Sequence, residues 1–231
     1  MPPLVHVLDN PIWNGLISGN KDFAQGTDSV RFFPAAIAPF IGLQENTEAH
    51  FDTLHDIVPS DRTFVHFGIE KPTIPDSWNV IVQLPGFQLT YTGADVPVLN
   101  DEEIVSLTNE HIPQMLSLTT LTNPGPFSSR TIDFGNYEGI FRDGLLVAMA
   151  GQRLHPYEYV EISAVCTHPD YAGKGFARQL LLRQVQQIIV SGGIPFLHVR
   201  SDNSRAVNLY KRLGFEIRTD VYFTVIQKKN G

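Results

Sequence analysis

The chain has 231 residues and a single cysteine, Cys166. One cysteine excludes an internal disulfide and fits a reducing compartment. No apolar run approaches the roughly 18 residues that a membrane span needs. The opening Met1-Pro2-Pro3-Leu4-Val5-His6 lacks a basic segment followed by an apolar stretch. No signal peptide is therefore read, and the cytoplasm is the expected location. Basic residues are scarce in the first 100 positions, where Lys21, Arg31, Arg62 and Lys71 stand against eleven acidic residues. All of the net charge of −7 falls there. Such a surface repels phosphate backbones, so no nucleic-acid partner is expected. Histidines 50, 55 and 66 match no zinc spacing, and no cysteine joins them, so no metal is expected.

What is present supports a packed core. Hydrophobic residues make up 42% and charged residues 18%, the balance of a globular chain. The length suits one large domain or two small ones. The difference in charge between the halves favours two units, 1–95 and 96–231, joined through 92–100. In the first unit, Asn10 before Pro11 is expected to cap a short helix. A second helix is expected over 47–58, and strands over 29–33, 63–69, 78–84 and 87–91. No motif in this unit carries chemistry.

The second unit is more regular. A strand over 101–107 and a helix over 109–119 lead to a loop at 123–131. Asp143-Gly144 between two apolar runs is a hairpin signal, and a third strand over 158–167 follows. The helix after residue 175 repeats apolar residues on one face and stops at Ser191-Gly192-Gly193. The strand at 194–200 then completes a strand–helix–strand unit, which implies a right-handed parallel crossover. A helix within 204–213, ended by Gly214, and closing strands at 215–217 and 222–226 complete the chain. The expected class is α/β: a mixed, mostly antiparallel central sheet flanked by helices, with an additional N-terminal α/β region.

One stretch organises this second unit. After the strand ending at Val165-Cys166-Thr167 come His168-Pro169-Asp170-Tyr171-Ala172-Gly173-Lys174-Gly175-Phe176-Ala177 and a helix. Two glycines leave the backbone bare just where a helix begins, and its unpaired N–H groups and dipole favour an anion. A P-loop fails because Lys174 is followed by Gly175 rather than Ser or Thr. A dinucleotide fingerprint fails because Arg178 stands where a third glycine is required.

The stretch resembles the acyl-CoA loop of the GNAT N-acetyltransferase superfamily, whose pattern is Arg/Gln-x-x-Gly-x-Gly/Ala. Ala172, Gly173, Lys174, Gly175, Phe176 and Ala177 stand at the glycine-rich part, and Thr167-His168-Pro169-Asp170-Tyr171 resembles the usual lead-in. Ala172 departs from the pattern's leading Arg or Gln. Residues 203–215 match a second signature of that family, Asn-x-x-Ala-x-x-x-Tyr-x-x-x-Gly-Phe, through Asn203, Ala206, Tyr210, Gly214 and Phe215. The wording of 161–169 is similar to the branch that includes glycine N-acyltransferases. The resemblance covers about 96–227, and that branch can carry an acyltransferase-like N-terminal half without the loop.

The resemblance implies a GNAT acyltransferase fold and an acetyl-CoA co-substrate, with transfer to a primary amine of a small molecule or amino acid; the alternatives are a CoA-binding regulatory module without turnover and an N-acyltransferase using a longer acyl-CoA. It implies that Val165 and Thr167 pair with the pantetheine arm through the backbone. Gly173, Lys174, Gly175, Phe176 and Ala177 would cradle the pyrophosphate, and Asn203 would bind the pantetheine. Tyr210 would be the general acid that protonates the leaving thiolate. Glu161 would be the general base, with His155, Glu158 and His198 as rivals. Direct attack by the amine needs no covalent intermediate, and Cys166 is expected to be an inert core residue. The implied protein is a monomer or homodimer with a small-molecule partner and no membrane partner.

Overall fold

The computed structural model describes residues 6–93 and 104–229. The N-terminal part contains α1 (Pro11–Leu16), strands β1 (Gln25–Gly26), β2 (Val30–Phe32) and β3 (Ile41–Leu43), α2 (Glu48–Ile57), β4 (Thr63–Gly68) and β5 (Trp78–Tyr91). The remainder contains β6 (Ile104–Ser106), α3 (Ile112–Thr122), β7 (Glu138–Arg142), β8 (Leu145–Gln152), β9 (Tyr159–Thr167), α4 (Phe176–Val190), β10 (Ile194–Arg200), α5 (Ser204–Arg212) and β11 (Phe215–Lys228).

Strands β1–β3 form a small antiparallel sheet, and the other eight form one large sheet in the order β4-β11-β5-β10-β9-β8-β7-β6. Among the described strands, only β9 and β10 pair in parallel, joined through α4. This is the mixed, mostly antiparallel sheet flanked by helices that the sequence predicts. Two N-terminal strands belong to it: β5 lies between β10 and β11, and β4 forms one edge. The expected division at 95/96 falls outside the described residues, and the strands on either side of it share this sheet.

Local chemistry explains most of the elements. Thr47 caps α2 by accepting from the His50 N–H, and Phe51 and Leu54 turn inward. Asn10 precedes Pro11 as expected, but its side chain donates to the Leu43 carbonyl at 2.7 Å instead of capping α1. Asp143 and Gly144 take positive φ of 51° and 77° at the β7–β8 turn, as a tight hairpin with the right twist requires. Leu181, Val185 and Ile188 of α4 recur on one face and pack with Val207 and Tyr210 of α5 over Ile162, Leu197 and Val199 of the sheet. The opposite face is covered by α1, α3 and the N-terminal segments, through Leu8, Ile12, Phe40, Phe67, Met115, Met149, Cys166 and Phe196. A separate cluster joins α2 to Phe64, Trp78 and Ile226.

Two pairs of expected strands are each continuous. Residues 78–91 form one strand running through Pro85 and Gly86, and residues 215–228 form another, with an irregularity between Ile217 and Thr219. Together they make the longest ladder in the molecule. Among the described residues, no helix is long and apolar enough to cross a membrane.

Candidate active site

The site is built on β9. Its ladder with β10 covers only Ile194–Tyr159, Pro195–Val160 and Phe196–Glu161, after which the two parallel strands diverge. His198 shows the consequence: its side chain is 1% exposed, yet the residue as a whole is partly exposed. Its backbone therefore faces the gap. On the other edge of β9, Cys166 pairs with Met149 and Ser163 with Gly151. Three steps on β9 thus oppose two on β8, a β-bulge, and Ala164 within it takes φ of 52°. A bulge re-aims the strand and interrupts its pairing. A wedge opens between β9 and β10, with Glu161 at its apex.

Beyond the wedge, the His168 imidazole accepts from the Asp170 N–H at 3.3 Å and starts a single 3-10 turn, Pro169–Tyr171. Gly173 and Gly175 follow with φ of 83° and 86°, a conformation that side chains resist. Residues 172–175 are exposed. The N–H groups of Gly173, Lys174 and Gly175 make no backbone hydrogen bond, and those of Phe176 and Ala177 open α4, where no intrahelical acceptor exists. Five donors and the positive end of a 15-residue helix converge there. Phe176 is buried, stacked on Tyr171 and covered by the Arg142 guanidinium at 4.9 Å. The Lys174 ammonium lies 4.5 Å from the Tyr171 ring centre. A cleft of about 320 Å³ opens nearby, between α3 and the β7–β8 turn, with His168 in its wall.

The other expected residues divide between the two faces of the sheet. Val165 packs against the cluster that holds Tyr210, Ile162 and Val199. Thr167 carries a buried hydroxyl with no protein partner. Asn203 is exposed, and its side-chain oxygen accepts from the Ala206 N–H at 3.1 Å, which caps α5. Tyr210 is 8% exposed, and burial pushes its phenol up to about 12. Glu161 points to the opposite face from Tyr210.

Glu161 is fully buried. Arg153 donates to both of its oxygens, at 2.8 and 2.6 Å, and His198 Nδ1 lies 2.7 Å from Oε1. Burial alone would raise this carboxyl; the Arg153 charge and the hydrogen bonds from Arg153 and His198 outweigh it and hold the group at about 2. A carboxylate held this firmly has little affinity for a further proton. His198 continues the chain through Gln88 to Arg218, which also binds Asp9 at 2.6 Å. Gln88 donates as well to the Leu8 carbonyl at 2.9 Å. The N-terminal turn Val7–Asp9 is thus tied to the chain of side chains that ends at Glu161. Arg153, Gln88, Arg218 and Asp9 carried no signal in the sequence: Gln88 and His198 are 110 residues apart.

The rival bases are placed differently. His155 has a buried Nε2 with no protein partner, and burial lowers its pKa against the pull of Glu161; Glu158 is exposed. Of the N-terminal histidines, His50 binds the Glu45 carbonyl at 2.8 Å and His55 lies edge-on to Trp78. His66 is 2% exposed with Nδ1 unpartnered. Cys166 is a buried free thiol that burial pushes up to about 11, as an inert core residue requires. Among the described residues, no group of three His, Cys, Asp or Glu side chains is arranged to hold a metal ion.

Comparison with known proteins agrees with this geometry. The family model described as FR47-like protein matches residues 137–224, from the start of β7 into β11. A solved structure of a putative acetyltransferase from the GNAT family of Novosphingobium aromaticivorans superposes over 98% of this chain and 100% of that one. The two are 31% identical, with a TM-score of 0.92. The chain belongs to the GNAT family. Since that relative matches from end to end, the N-terminal part shares its architecture as well. A GCN5-related N-acetyltransferase from Kribbella flavida, 13% identical, shares the fold over 97% of this GNAT chain with a TM-score of 0.65.

Curated relatives match the GNAT core more locally. The N-alpha-acetyltransferase RimI of Mycobacterium tuberculosis is 36% identical over 85 residues, 35% of this chain and 52% of that protein. An amino-acid acetyltransferase of Mannheimia succiniciproducens is 30% identical over 132 residues, 54% of this chain and 29% of that protein. The chain thus spans about half or less of these relatives' length.

Proposed function

We propose that this GNAT chain is a cytoplasmic, acetyl-CoA-dependent N-acetyltransferase acting on a primary amine of a small molecule or amino acid. The observation that carries the reading is the union of an open β9–β10 wedge with a bare N–H cradle at the start of α4. The cradle fits a pyrophosphate because its glycines lack the side chains that would hold phosphate oxygens away from the N–H groups. The diverging edges of β9 and β10 offer backbone groups to pantetheine amides, as an added strand would use them. Bound acetyl-CoA supplies an acetyl group activated as a thioester.

The protein's residues then have separate tasks. The N–H groups of Gly173, Lys174, Gly175, Phe176 and Ala177 hold the diphosphate, and the Lys174 ammonium adds charge at its rim. The β9 edge at Val165 and Thr167 aligns the arm, with the Thr167 hydroxyl as a further donor or acceptor. Asn203 uses its oxygen to cap α5, which leaves its amide N–H groups for a pantetheine carbonyl. Tyr210 keeps its proton throughout the physiological range, since its pKa stands at about 12, and donates it toward the leaving sulfur. The role of Glu161 changes from the one expected. Held at about 2 by Arg153 and His198, it anchors the apex of the wedge rather than taking the proton of the amine.

Relatives that are an N-alpha-acetyltransferase and an amino-acid acetyltransferase support transfer to amino groups, and so does the likeness of 161–169 to glycine N-acyltransferases. The test is CoA release from acetyl-CoA with a panel of primary amines, repeated with Tyr210→Phe. Loss of a positioned proton donor should lower kcat by about 100-fold or more with acetyl-CoA affinity intact. Binding of acetyl-CoA without turnover on any amine would overturn the enzymatic reading.

A further inference from the structure

Tyr137, just before β7, is buried at 2% exposure, and its hydroxyl has no hydrogen-bond partner among the described residues. The ring is fixed on both sides. It lies flat on Gly151 of β8, so close that a Cβ there would meet three ring carbons within 2.6 Å, and Phe127 meets it edge-on at 5.7 Å. Gly151 is paired with Ser163, at the start of the β9 bulge. Tyr137 shares its cluster with Ala164 and Cys166, the residues of β9 that face α3 along the wedge. It also feels the charges of Arg153 and Glu161. These two pair with each other and leave no free charge for the phenol to bind.

An unpartnered buried hydroxyl costs stability, and phenylalanine would fill the same space without that cost. A tyrosine is kept at a price here, which points to a ligand. The face is informative. Tyr210 packs in the cluster on the α4–α5 face of the sheet, and Tyr137 in the cluster on the other face.

We propose that the Tyr137 hydroxyl receives the acceptor amine at the α3 face of the wedge. Resting on the N-acetyltransferase reading, this makes Tyr137 a substrate-positioning residue. Its oxygen accepts an N–H of the neutral amine and turns the nitrogen lone pair toward the wedge. Tyr137 takes no part in bond making, and its phenol stays protonated.

The test is Tyr137→Phe in the full chain, with steady-state CoA release measured against acetyl-CoA and against three acceptors: benzylamine, glycinamide and an alanine-starting tripeptide. The expected result is a KM for the best acceptor raised about 10- to 100-fold, the effect of losing a hydrogen bond to a reacting nitrogen. The KM for acetyl-CoA should stay within about twofold, and thermal unfolding should occur at the same or a higher temperature, since an unpaired polar atom is gone. An unchanged amine KM with wild-type turnover would overturn the inference and leave the enzymatic reading standing. A wild-type chain inert toward all three amines would overturn both.

Discussion

Gln88 faces His198 across 2.9 Å, Nε2 to Nε2, and this contact fixes the imidazole tautomer. Arg218 can only donate, so the Gln88 atom that meets it is the carbonyl oxygen. The amide nitrogen of Gln88 must then point at His198 and donate. His198 Nε2 is therefore the acceptor, and Nδ1 carries the hydrogen given to Glu161 at 2.7 Å. Burial lowers the pKa of His198 despite the hydrogen bond and charge of Glu161, so the ring is neutral. In 15N NMR, His198 should appear as a neutral Nδ1–H ring at about pH 7. Gln88→Met should lower stability by about 1–3 kcal/mol, because it leaves His198 Nε2 and the buried Leu8 carbonyl without their donor. An imidazolium signal at neutral pH would refute the assignment.

Glu161 and Arg153 form a buried pair, and removing one partner strands the other. Glu161→Gln should therefore cost about 3–5 kcal/mol of folding stability, read from the urea midpoint. The double variant Glu161→Gln, Arg153→Met should recover part of that loss. A residue acting only as a proton acceptor would behave differently: Glu161→Gln would leave the midpoint in place and lower kcat alone.

The chain of donors behind these predictions was hidden in the sequence for a physical reason. Regular elements announce themselves through local spacing. The repeat of Leu181, Val185 and Ile188, the Asp143-Gly144 turn and the glycines at 173 and 175 each act within a few residues, and each was legible. Pairings across distant strands leave no such trace. Nothing near Gln88 indicates that β5 lies between β10 and β11, so its contacts with His198 and Arg218 could not be read. Pro85-Gly86 and the irregularity at 217–219 look like strand ends, yet long antiparallel ladders carry both strands through. The position of Glu161 was legible within the strand expected over 158–167. Its partners were not, and they decide its protonation.

His66 makes the fold sensitive to mild acid. It is 2% exposed, and burial holds its pKa at about 4. The unfolded chain takes up a proton near pH 6.5, whereas the folded chain resists until about pH 4. Stability from this group is complete above about pH 6.5 and falls as the pH drops toward the folded value. Between pH 7 and pH 5 the loss from His66 is about 2 kcal/mol, at 1.36 kcal/mol per unit over about 1.5 units. His155 and His198, whose pKa values are also lowered, act in the same direction. Glu161 adds its loss only at lower pH, from its ordinary 4.5 down to about 2. Urea unfolding at pH 7 and pH 5 measures the slope, and His66→Phe should flatten it by about the His66 share. Equal slopes in the variant and the wild type would show that His66 does not carry the effect.

Gly175 tests the cradle directly. It takes φ of 86° immediately before α4, and a Cβ there would meet no atom within 4 Å. Gly175→Val therefore clashes with nothing in the protein; it acts through the backbone and through a side chain that would stand between phosphate oxygens and the N–H groups. A β-branched residue in the left-handed region costs about 1–2 kcal/mol, and the loop can relieve that strain only by turning its N–H groups away. Acetyl-CoA affinity, measured by calorimetry, should fall about tenfold or more, the equivalent of at least 1.4 kcal/mol. Gly125→Val supplies the control. Gly125 also has positive φ, 131°, and open space around its Cβ position, but it lies in the loop after α3. That variant should lose stability without losing acetyl-CoA affinity. Equal affinity in the Gly175 variant and the wild type would remove the pyrophosphate from this loop.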